Sequence, residues 1–146
     1  FNSGYSVDVS DHDTAIIGSL SAVEGSNIVF IFKKISPVLW NLTQTLTTPV
    51  TGQHFFGILV KISRDAQVIL VLEATNPATL QVYKLNSQTQ QYSNTGNPIT
   101  VSTDNEVLVA GDVDMTDRVI IYGDRKKGTY HSVCYVYLLK IINTFI

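Results

Sequence analysis

Asp112-Val113-Asp114-Met115-Thr116 sets two carboxylates and a hydroxyl at alternate positions after the apolar run Val107-Leu108-Val109-Ala110. On a parallel strand feeding a helix, such an Asp-x-Asp-x-Thr arrangement can aim a nucleophilic carboxylate at a phosphoryl group. A short pattern carries that chemistry only in its structural context, and no helix is expected here. On a half-buried strand, Asp112 and Asp114 alternate outward while Val113 and Met115 point inward. Asp8, Asp11, His12 and Asp13 could offer ligands to a divalent cation, but an Asp-rich hairpin turn is accounted for by Asp capping its own backbone. His54 and His131 precede strands without a spaced partner. No catalytic, cofactor-binding or metal-binding residue is assigned. Asn41-Leu42-Thr43 is the one N-glycosylation sequon, which makes Asn41 a glycosylation candidate in a secretory setting.

The elements that must carry these residues read as strands. From Phe55 to Glu73 two apolar runs flank Ser63-Arg64-Asp65-Ala66, and Val60, Lys61, Ile62 and Ser63 alternate in the period of a half-buried strand. The spacing predicts a β-hairpin, and the same pattern occurs once before and once after it at an offset of 53. Val7, Val9 and Ser10 fall on Val60, Ile62 and Ser63, and Val113, Met115 and Thr116 follow; Val29 and Phe30 fall on Val82 and Tyr83. Three units result within one repeat domain spanning 1–146: residues 1–53, 54–106 and an incomplete 107–146 that stops after three strands. The fourth strand of the first unit is Val38 to Leu46; that of the second is divided between Gln91-Tyr92 and Ile99-Thr100-Val101. Helical periodicity is lacking, so the fold class is all-β, built from antiparallel four-stranded units.

Composition narrows the partners. Charged residues make up 15%, and Ser, Thr, Asn and Gln outnumber them about two to one, a balance suited to a secreted or cell-surface β protein. A net charge of -2 and scattered Lys and Arg give no cationic track for nucleic acid. A lone Cys134 allows no intrachain disulfide and reads as a small buried hydrophobe. No apolar run approaches the roughly 20 residues that would insert into a membrane as a helix. The chain starts at Phe1 without a basic, apolar leader, as expected of a processed or excerpted product.

Phe56-Gly57-x-x-Val60-x-Ile62-Ser63-x-Asp65 followed by Val82-Tyr83 resembles the FG-GAP repeat of β-propellers such as integrin α chains and secreted microbial proteins. Ser3-Gly4-x-x-Val7-x-Val9-Ser10 with Val29-Phe30-Ile31-Phe32 and Trp40 is similar to a second copy, and Val109-Ala110 stands where a third copy would have Phe-Gly. The resemblance implies propeller blades. Its calcium-binding members carry Asp-x-Asp-x-Asp-Gly loops, from which the loops here depart, so no metal is expected. Under three blades make an incomplete ring or open blade array. A sheet ending at its third strand leaves an unpaired edge, with Val133, Tyr135, Tyr137, Leu139 and Ile141 as interaction-edge candidates. The function expected is a non-enzymatic extracellular structural or interaction module that binds protein, copies of itself or the remaining blades of a longer chain. A carbohydrate-binding module that takes glycan is the alternative, and a propeller-type hydrolase a more remote one.

Overall fold

A computed structural model of the chain describes residues 2–20, 27–48, 55–74, 78–96, 98–100, 106–114, 119–126 and 132–138, the last three spans by their backbone. The described residues are all-β. Strands β1 (Asn2–Val9), β2 (Thr14–Leu20), β3 (Ile28–Ser36) and β4 (Leu39–Thr47) form one antiparallel sheet in chain order. A second sheet takes β5 (Phe55–Ile62), β6 (Val68–Ala74), β7 (Thr79–Asn86) and β8 (Gln91–Asn94), with β9 (Ile99–Thr100) also on β7. The third holds β10 (Glu106–Asp114), β11 (Val119–Lys126) and β12 (Ser132–Leu138). No closed ring of sheets is present among the described residues.

Local chemistry explains the first hairpins. Ser10 Oγ accepts the N–H groups of His12 and Thr14, both at 3.2 Å, and Ser63 Oγ accepts that of Val68 at 2.8 Å. Each serine thus replaces a missing ladder partner inside its own turn. Both turns pass through the left-handed region, at Asp13 (φ 53) and Ala66 (φ 55). The first strands also share a bulge. Gly4 (φ 83) lies where the register shifts between Ser3 and Ser6, Gly57 (φ 87) where it shifts between Phe56 and Leu59, and β10 shifts between Leu108 and Ala110. A bulge residue at positive φ favours glycine.

Strand pairing corrects the uniform offset at the third strand. Thr14 pairs with Lys33 and Val68 with Lys84, because the second turn holds one more residue, Gln67, and the following loop fewer. Ile31 and Phe32, not Val29 and Phe30, therefore occupy the places of Val82 and Tyr83. The divided fourth strand also has a cause. β8 covers Tyr83–Asn86 and β9 covers Thr79 and Leu80, while the N–H of Thr95 bonds to Val82 O at 2.9 Å in the gap between them.

The core has two layers, one on each side of the second sheet. Ile69 and Val71 of β6 join Val60, Ile62 and Tyr83 in a cluster with Ile16, Val29, Ile31 and Leu46 of the first sheet. Val68, Leu70 and Leu72 point the other way and cluster with Leu80 and Val82. Burial on both faces explains why β6 is an unbroken apolar run whereas β1 alternates. β10 of the third sheet approaches β5.

Candidate functional site

Successive strands put paired residues on one face, so each sheet has a back and a front. On the back of the first sheet, Asp8, Ile16, Ile31 and Gln44 form one cross-strand row and Ser6, Gly18, Val29 and Leu46 another. This back lies against the front of the second sheet. Gly18 makes the approach close: a Cβ there would stand 2.1 Å from the Gly57 carbonyl oxygen. Around that contact Ser6 Oγ donates to Gly57 O at 2.9 Å and Asp8 Oδ2 accepts the Ile62 N–H at 2.9 Å. At the outer end the Gln44 amide donates to Tyr92 O at 2.7 Å and accepts the Tyr92 N–H at 2.8 Å, pairing with the backbone as a strand would. The Asp11 N–H also reaches Arg64 O, at 3.0 Å.

A polar row crosses the upper part of the same interface. Thr48 Oγ1 donates to Glu73 Oε1, Gln81 Nε2 donates to Glu73 Oε2 at 3.2 Å, and Asn94 Nδ2 donates to Gln81 Oε1 at 3.0 Å. Glu73 and Gln81 are buried, so these bonds replace the water that the groups lost. Burial pushes the Tyr83 hydroxyl up from its ordinary pKa and that of Tyr92 up to about 12; Tyr92 donates to Ala66 O at 2.6 Å.

The front of the first sheet is the candidate site. Its rows are Val7, Ile17, Phe30 and Thr45, then Val9, Ala15, Phe32 and Leu42, with Trp40 beyond them on β4. These rows match Val60, Val71 and Gln81, then Ile62, Ile69 and Tyr83, of the second sheet. Sequence pattern is shared and environment is not: Val60 is 1% exposed but Val7 is 64%, and Ile62 is 5% exposed but Val9 is 59%. Phe30 and Phe32 are half-buried, with ring centroids 6.5 Å apart, and Leu42 and Trp40 are exposed. Ser19 Oγ is buried without a hydrogen-bond partner. Ser19 pairs with Ser3 as Glu73 pairs with Phe56, so it holds the position at which Glu73 receives Thr48 from the preceding sheet.

The candidates from sequence lie elsewhere. Asn41 is exposed on β4, on the opposite side of the strand from Trp40 and Leu42. Val133, Tyr135 and Tyr137 lie on β12, which is last in its sheet and pairs with β11; Leu139 and Ile141 fall outside the described residues, as do His54 and His131. β10 is antiparallel to β11, so Asp112 and Asp114 lie on a different kind of strand from the one their motif needs. The Asp8 carboxylate bonds to the N–H groups of Val9 and Ile62, His12 Nδ1 is 2.9 Å from Arg64 O, and Asp13 pairs with Lys34 at 3.6 Å. Among the described residues no three His, Cys, Asp or Glu side chains gather as a metal site would require, and no helix is long and apolar enough to cross a membrane. A depression of about 290 Å³ lined by Asp13, Lys34, Ile35, Ser36 and Pro37 sits at the tip of the β3–β4 hairpin. The open face was not legible in the sequence, because Val7 and Val9 carry the same local pattern as Val60 and Ile62, which the structure buries. No protein-family model, curated protein or solved structure matches this chain.

Proposed function

We propose that this chain is a non-enzymatic interaction module, its sheets stacked in the manner of propeller blades, that binds protein outside the cell. One observation carries the reading: the first sheet exposes the apolar rows that the second sheet buries. A contiguous apolar face of this kind marks an interaction surface, because leaving it in water forgoes roughly 25 cal/mol per Å². The weakly charged, polar composition and the exposed Asn41 support an extracellular setting. An apolar dye whose emission rises on dehydration tests the face directly. Wild type should bind the dye, and Val7→Lys combined with Phe32→Glu should abolish the signal while leaving the circular dichroism unchanged. Dye binding that survives both charges, or is absent from wild type, refutes the reading.

A further inference from the structure

Separately from the open front of the first sheet, we infer that the tip of the β3–β4 hairpin seats the protein on an anionic lipid surface, its apolar apex dipping into the interface while Lys33 and Lys34 stand among the headgroups.

The tip is a tight turn. Ser36 pairs with Leu39, which leaves Pro37 and Val38 as the loop, and Ile35 sits at the register shift between Lys34 and Ser36. Pro37 has no N–H, so the apex carries one donor fewer to desolvate. Val38 is 92% exposed, and Ile35 and Leu39 are exposed on either side of it. Down the hairpin the chemistry changes in order. Lys34 pairs with Trp40 and Lys33 with Asn41, levels that lie roughly 7–10 Å below the apex at about 3.3 Å per residue. An interfacial segment buries its apolar groups about 5–10 Å into the boundary of headgroups and acyl chains, and lysines reach back along it to the phosphates. Asp13 at 3.6 Å from Lys34 Nζ offsets part of the positive charge, so the apex supplies most of the attraction and the lysines the preference for anionic lipid. The depression lined by Asp13, Lys34, Ile35, Ser36 and Pro37 lies beside the same level, where a headgroup has room to stand.

The second sheet shows that the apolar character of this turn is not imposed by the fold. Its matching turn is closed by the pair Asn86 and Gln91, as Ser36 and Leu39 close the first. Residues 86–91 stay exposed although the first sheet covers the front of their sheet. A hairpin tip in this place thus remains open whether or not a sheet lies in front. The second tip is polar throughout, and Asn86 Oδ1 accepts the N–H groups of Gln88 at 2.9 Å and Thr89 at 3.1 Å. A polar turn therefore serves the architecture, whereas Ile35, Val38 and Leu39 leave apolar surface in water with no structural need for it, the mark of a contact surface. A convex apolar apex followed by cations at one depth complements a deformable, negatively charged lipid surface.

Vesicle binding by the full chain tests this. Wild type should sediment with vesicles of mixed phosphatidylcholine and phosphatidylserine, and Trp40, the one tryptophan, should shift its emission to the blue and be quenched by brominated acyl chains. Val38→Asp should lower the partition coefficient at least about tenfold, because it withdraws an aliphatic side chain and adds a charge. Lys33→Gln should lower it about fivefold on the mixed vesicles and leave it unchanged on pure phosphatidylcholine. A urea melt equal to that of wild type establishes that each variant folds. Val7→Lys combined with Phe32→Glu, which removes the dye signal of the front, should leave vesicle binding intact, so failure of the front reading and failure of this one are told apart. Wild type that stays in the supernatant overturns the inference and leaves the apex to a protein partner. Binding that survives Val38→Asp, or that disappears with the front variant, overturns it as well.

Discussion

Gly18→Ala should be among the most damaging single-methyl changes in the first sheet. The new Cβ would sit 2.1 Å from the Gly57 oxygen, 2.5 Å from Ser6 Oγ and 3.1 Å from the Gly57 carbonyl carbon. The first and third are backbone atoms and cannot rotate away. An ordinary carbon–oxygen contact is about 3.3 Å or more, so the two sheets must part by roughly 1 Å at this point. A gap of that size forfeits about a quarter to a half of the dispersion attraction of the atoms lining it. Overpacking of a tight core costs about 1–3 kcal/mol, and losing the bond from Ser6 to Gly57 adds about 1 kcal/mol. The expected loss is about 2–4 kcal/mol, a large share of a typical net stability of about 5–15 kcal/mol. Gly4→Ala is the control: it has the same kind of positive φ as Gly57 but nothing within 4 Å, so backbone strain alone should cost about 1–2 kcal/mol. Gly57→Ala combines that strain with a 3.0 Å approach to Val29 Cγ2 and should fall between them. Urea unfolding followed by circular dichroism ranks the three. A Gly18→Ala loss no larger than that of Gly4→Ala would refute the stacking argument.

Gln81→Leu should destabilise by about 2–3 kcal/mol in thermal or urea melts, since it strips a partner from both the buried Glu73 and Asn94; a neutral effect would contradict the polar row. Gln44→Leu should cost about 1–2 kcal/mol through its two bonds to the Tyr92 backbone, and its effect should add to that of Asp8→Ala if the two anchors act independently. Raising pH should weaken the fold in a defined window. The folded-state pKa of Tyr92 is raised above 10.0, to about 12, so the unfolded chain releases its proton first. The stabilisation is complete below pH 10 and lost as pH climbs through about 12, amounting to roughly 2 kcal/mol after allowance for solvent screening. Tyr92→Phe should flatten that part of the profile, and an unchanged slope would remove Tyr92 as its cause.

Much of the fold was legible because the first strands of the first two sheets repeat a small vocabulary: a bulge glycine, alternating apolar residues and a serine that closes the turn. Gly4 with Ser10 and Gly57 with Ser63 place two hairpins by local chemistry alone. The third strands were less legible. One residue added at Gln67 and a shorter loop after β6 change the spacing in opposite senses, and only pairing of Lys33 with Thr14 and Lys84 with Val68 reveals the true equivalence. The open face was hidden for another reason. Val7 and Val60 carry the same side chain in the same local pattern, and what separates them is whether a sheet lies in front. That is a property of neighbours, which periodicity along one strand does not encode.

The two faces of the first sheet are chemically unlike, and this asymmetry governs how it meets the second. The back of the first sheet brings short groups, Ser6, Asp8 and Gly18, that allow close approach and supply bonds to the facing strand β5. The front brings bulk, with Val60, Ile62 and Tyr83 in the second sheet and Val7, Val9, Phe30 and Phe32 in the first. Two fronts placed together would oppose bulk to bulk and leave the Ile62 N–H without the carboxylate of Asp8. A front against a back satisfies both volume and hydrogen bonding, as the first and second sheets do. The first and second sheets therefore stack back to front, with Gly18 setting how closely they approach.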